Sequence, residues 1–171
     1  MNELANGLLA FCRWCNGSFF GHGIRDSAWL FPFVEVFHLL ALALLGGTLI
    51  LLNMSLLGLR FGSASTRELA RELRPWMFGS IIVMLLSGFL LFSTEAVKMY
   101  GNWAFQLKML FLLLAVLFTL TIYRKVTDAP HATAGVRWLT ALISLSLWLG
   151  VGLGGRAIGY VTTAATALTG S

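Results

Sequence analysis

Residues 31–59 read FPFVEVFHLLALALLGGTLILLNMSLLGL. Glu35 and His38 are the two ionisable residues in that run, and both lie in its first third. A membrane-spanning helix needs about 20 predominantly apolar residues, so this segment is expected to span. Three further apolar runs follow, Trp76–Phe92, Trp103–Tyr123 and Trp138–Ala157. The second is short for a span and the other two are comfortable. Backbone groups in lipid must be satisfied within their own segment, so each run is expected to be a helix. Trp76, Trp103 and Trp138 open their runs and Tyr123 closes the third, as in the aromatic belts of membrane interfaces.

The composition agrees. Hydrophobic residues make up 58% of the 171 and charged residues 11%, where a soluble domain carries about 25% charged. Mean hydropathy is +0.83. These values exclude an ordinary soluble domain and a disordered chain. The net charge of +5 does not mark a nucleic-acid partner, because the charges sit mostly between the apolar runs. The expected fold class is all-α, an integral membrane four-helix bundle over residues 29–171 whose principal partner is the lipid bilayer.

Residues 1–28 form a separate segment. Glu3, Arg13, Arg25 and Asp26 interrupt any span, while Leu8, Leu9, Phe11, Trp14, Phe19 and Phe20 make the stretch amphipathic. It has neither the basic start nor the cleavage site of a signal peptide. An interfacial amphipathic helix on the membrane surface is expected here.

Charge placement orients the bundle. Arg60, Arg67, Arg71, Arg74, Arg124, Lys125 and Arg137 fall on one side, against Arg13, Arg25 and Lys98 on the other. Positive residues favour the cytoplasmic side, so both termini are expected outside. Ser65-Thr66-Arg67-Glu68 is a capping-box pattern ahead of Leu69, Ala70 and Leu73. A short surface helix is expected there.

Ionisable groups inside a span are costly and are usually retained for function. Here they are Glu35, His38, Lys108 and Arg156, with Glu95 closing the second run. The topology puts all of them in the outer half, on four different helices. His38 lies about 12 Å below the outer end of its span at the α-helical rise. Glu35 and His38 are spaced i,i+3 and share a helix face. A neutral imidazole is a common metal ligand, and a carboxylate can orient its other nitrogen. A buried histidine hydrogen-bonded to Glu35 for structural reasons fits the same spacing.

The remaining candidates are weaker. His131 belongs to a solvated turn at Asp128-Ala129-Pro130-His131, and His22 lies between Gly21 and Gly23 just outside the membrane. Cys12 and Cys15 form Cys-Arg-Trp-Cys, followed by Asn16 and not by the histidine of a c-type haem site. They read as a disulfide, a redox couple, or two incidental cysteines on one helix face. Gly150 and Gly154 are spaced for close helix contact. Met84 and Met109 are outside candidates for a soft metal ligand.

Val36-Phe37-His38-Leu39-Leu40 followed by Gly46-Gly47 resembles the first span of the HemJ-type protoporphyrinogen oxidases and of the copper-resistance protein D family. Pro75-Trp76-Met77 with Ser87-Gly88 resembles their second span, and Asn102-Trp103-Ala104-Phe105-Gln106-Leu107-Lys108 the start of their third. The resemblance covers roughly residues 29–125. Ser27, Trp29, Pro32, Glu35 and His38 also resemble the Ser-x-Trp-x-x-Pro-x-x-Glu-x-x-His start of uncharacterised bacterial four-span proteins. The oxidase resemblance implies a b-type haem, with His38 and Lys108 essential; the other implies copper handling on the outer side. The chain departs from the oxidases in its N-terminal segment and in Glu35.

The function expected from these residues is electron transfer or a small redox reaction at one haem b near the outer face of a bacterial inner membrane. His38 would be an axial iron ligand, Glu35 its orienting partner, and Arg156 or Lys108 the counter-charge to the haem propionates. A redox partner or a second copy would complete it, with no nucleic acid involved. The alternatives are a copper-handling or transport protein using the same histidine, and a non-catalytic subunit whose polar site holds helices together.

Overall fold

The computed structural model describes residues 2–18, 21, 23–24, 26–59, 65–129 and 132–169. The chain is almost wholly helical, with no strand among the described residues. In order the helices are α1 (Asn2–Gly17), α2 (Leu30–Leu56), α3 (Thr66–Thr94), α4 (Ala96–Tyr100), α5 (Trp103–Phe118), a π-helical turn (Thr119–Tyr123), α6 (Arg124–Asp128) and α7 (Ala134–Thr169). Four stretches are long and apolar enough to cross a membrane: α2, α3, α5 through α6, and α7 as far as Val161. This is an all-α, multi-pass architecture.

Local chemistry sets the boundaries. Gly58 takes φ +101° just after α2. The Leu59 N–H donates to the Met54 carbonyl and the Gly58 N–H to the Ser55 carbonyl, the paired bonds of a Schellman stop. Helix α2 therefore ends at Leu56, slightly short of the run read from sequence. Ser65 and Glu68 form the expected capping box. The helix they start does not stay a separate surface element, however. It continues through Pro75 into the second span, so that span is longer than its apolar run. Pro75 removes one backbone donor, which leaves the Arg71 carbonyl four residues earlier without its helical partner. Arg71 is exposed at the polar end of the helix, where water can serve that carbonyl. Asn102 caps α5 by accepting from the Ala104 and Phe105 N–H groups.

The spans pack in the order α3–α2–α7–α5, with α2 against both α3 and α7, and α5 against α7. The core holds Leu45, Leu49, Leu52 and Leu56 of α2 against Met77, Ile81 and Met84 of α3 and Ala141 of α7. Two arginines tie α6 back to α3 at the basic-loop end: Arg74 pairs with the Asp128 carboxylate, and Arg67 donates twice to the Asp128 carbonyl. Arg137 donates to the Ser55 carbonyl and the Thr66 hydroxyl.

The π-turn changes what α5 buries. Ala115, Thr119, Tyr123 and Thr127 are all buried at four-residue steps. Four residues overshoot an α-turn by about 40°, so the series would drift off its face. The wider i→i+5 turn cancels that drift. It carries Tyr123 into the core at 1% exposed, whereas sequence placed it in an interfacial belt. Trp76, Trp103 and Trp138 are exposed, as such a belt requires.

Candidate functional site

The site lies towards the end of the bundle opposite the basic loops. His38 sits two turns into α2, and its Nδ1 is 2.9 Å from Ser87 Oγ of α3. The Ser87 hydroxyl also lies 2.6 Å from the Val83 carbonyl, to which it donates. A hydroxyl has one proton. With that proton on the Val83 carbonyl, the oxygen is left to accept from His38 Nδ1–H. A neutral ring protonated at Nδ1, with its lone pair on Nε2, fits this bonding, and the Met84 carbonyl is a further acceptor beside the ring.

Gly88 makes room for the ring. A Cβ there would stand 3.2 Å from His38 Cε1 and 3.7 Å from Nδ1. The serine and the glycine, adjacent on α3, thus hold and seat one imidazole. Glu35, expected to orient that ring, is exposed, and the bond to Nδ1 involves Ser87 instead. Glu35 acts on His38 only through space.

Lys108 reaches the same region from α5. Its stem lies along α7, where a Cβ at Gly154 would come 3.0 Å from Lys108 Cβ and 3.2 Å from its Cα. A Cβ at Gly155 would meet Nζ at 3.6 Å. At Gly150 the corresponding approach is 2.8 Å, to the Phe111 ring. The glycines of α7 are thus the close-contact surface that their spacing suggested. Lys108 is partly buried and close enough to His38 for its charge to act on the ring.

Other expected participants lie apart from this pair. Arg156 is exposed, its guanidinium 5.8 Å from the centre of the Tyr160 ring. Glu95 is exposed and pairs with Lys98 at 3.4 Å. Met109 is exposed, whereas Met84 is buried in the core one turn before Ser87. His22 and His131 lie outside the described residues.

Sequence reasoning gave the uncharged polar residues no part in the site. Besides Ser87, Asn53 and Ser144 join α2 to α7 at 3.3 Å, and Trp148 Nε1 donates to Thr119 Oγ1. Asn53 Oδ1 and the Tyr123 hydroxyl are buried with no hydrogen-bond partner among the described residues. The available signal was a polar side chain within an apolar run, since unpaired polar groups in lipid are costly.

A family model covers residues 11–161, nearly the whole chain. The protein belongs to DUF6644, a family of unknown function. No curated protein and no solved structure matches it. The matched region includes His38, Ser87, Gly88, Lys108 and both glycines that seat the lysine.

Proposed function

We propose that this DUF6644 protein is a membrane haem b protein serving electron transfer or a small redox reaction near the outer face of a bacterial inner membrane. The observation that carries the proposal is the His38–Ser87–Val83 hydrogen-bond relay, which suits a ring protonated at Nδ1 with Nε2 as the metal-binding nitrogen. A haem iron takes its equatorial ligands from the porphyrin and needs only one or two from protein. Among the described residues no three of His, Cys, Asp and Glu stand together, the grouping that favours a bare ion.

In this reading His38 Nε2 would hold the haem iron, with Ser87 fixing its ring. Lys108, and Arg156 beyond it, supply positive charge for the propionates. Glu35 adjusts the field at the imidazole through space. When bound, the haem would supply a one-electron iron couple at the membrane. The seven-to-three bias of basic residues supports placing this end outside. The exposed Leu8, Phe11 and Trp14 of α1 suit a helix lying in the headgroup region.

The test is a haem and metal assay on protein purified in detergent from cells supplied with both iron and copper. About one haem b per chain supports the reading. Copper without haem would move the site to metal handling, and neither would leave a structural subunit.

A further inference from the structure

Cys12 and Cys15 lie on α1, away from the His38 site, and both thiols are free. Both are buried, Cys15 at 1% exposed, in a small cluster with Ala96 of α4 that Phe92 and Tyr100 flank. The face that docks α1 onto the α3–α4 junction is therefore the face carrying both sulfurs. The chain after α1 fixes this arrangement. Ser18 Oγ donates to the Cys15 carbonyl at 2.7 Å. A Cβ at Gly21 would lie 2.6 Å from that same oxygen and 2.9 Å from the Ser93 carbonyl, so only glycine fits where the chain returns over the end of the helix.

Helix geometry sets Cα atoms three residues apart at about 5 Å. Disulfides bridge Cα separations of about 4.4–6.8 Å but need Cβ atoms about 3.5–4.5 Å apart, closer than the about 5–6 Å of helical neighbours, so closure also opens the turn between the two cysteines. The two thiols are close enough for charge on one to act on the other.

We propose that Cys12 and Cys15 are a redox-active dithiol that closes to an intrahelical disulfide by exchange with a disulfide partner. One cysteine thiolate attacks a sulfur of the partner, forming a mixed disulfide and releasing one partner thiolate, which takes up a proton. The second cysteine gives up its proton and attacks the protein sulfur of the mixed disulfide, expelling the other partner thiolate. The protein pair loses two electrons, and the partner disulfide is reduced to two thiols. Burial pushes both thiols above the ordinary cysteine value, so reaction follows local release of α1 from α4. The proposal is independent of the haem.

The full-length chain in detergent is equilibrated across ratios of reduced to oxidised glutathione, acid-quenched, unfolded and alkylated, and its mass is read. The expected result is conversion from two alkylated thiols to none in one transition, in a single chain two daltons lighter than the unalkylated reduced chain and without bound glutathione. Cys12→Ser and Cys15→Ser should show no such step. Two thiols still alkylatable in the most oxidising buffer, two bound glutathiones, or disulfide-linked dimers would overturn the proposal.

Discussion

His38 Nδ1 lies 2.9 Å from the Oγ of Ser87, a residue of the neighbouring helix whose hydroxyl is itself committed to the Val83 carbonyl. The neighbouring helix thereby supplies a partner for the only histidine within the apolar runs. Ser87→Ala removes the acceptor and leaves the helix bonds of α3 in place. Haem affinity should fall about 10–100-fold, the usual cost of losing a group that orients a ligand, with Tm nearly unchanged. Haem titration of the apoprotein measures it.

Gly88→Ala tests the seat of the ring. The new methyl would stand 3.2 Å from His38 Cε1, so the imidazole must give way by a few tenths of an ångström. The haem spectrum should change and affinity should drop. Gly79→Ala on the same helix meets nothing within 4 Å and should leave the spectrum unchanged. It should also stabilise the protein by about 0.5–1 kcal/mol, because glycine is the poorer helix residue. Spectra and melting curves of the two variants separate local displacement from general repacking.

Lys108→Met keeps the length of the stem and removes the charge. Haem content should fall, and the spin state should hold if the lysine serves the propionates; a shift from low to high spin would mark ligation. Lys98→Met, which breaks only the exposed pair with Glu95, should change neither haem nor stability by more than about 1 kcal/mol.

Particular residues show how far sequence reached. The four spans followed from apolar length, and the start of α3 from the Ser65–Glu68 capping box. Close helix contact at Gly150 and Gly154 followed from their spacing, but that α5 supplies the partner shows only in the packing. His38 and Lys108 could be singled out because charge in lipid is costly. Ser87 was noticed only as part of a resemblance and given no role, because a lone serine in an apolar run also bonds comfortably to its own helix, as it does here with Val83. Only packing shows that its oxygen faces His38. Tyr123 was misplaced because nothing in Thr119–Tyr123 announces a π-turn, and an undistorted helix would have turned that ring away from the core.

Orientation can be tested without any cofactor. In a chain lacking Cys12 and Cys15, single cysteines placed at Ser63 and at Ala132 should react with a membrane-impermeant maleimide only after the cells are opened. Labelling of either position in intact cells would reverse the bundle and put the His38 end in the cytoplasm.

Haem per chain in the His38→Ala variant, measured beside the unaltered protein, tests the central claim most directly. The unaltered protein should hold about one haem b and show a strong Soret band. His38→Ala should lose that band while its far-ultraviolet dichroism and elution volume stay the same, and His22→Ala and His131→Ala should keep it. An unchanged Soret band and full haem content in His38→Ala, or no haem in the unaltered protein, would contradict the assignment.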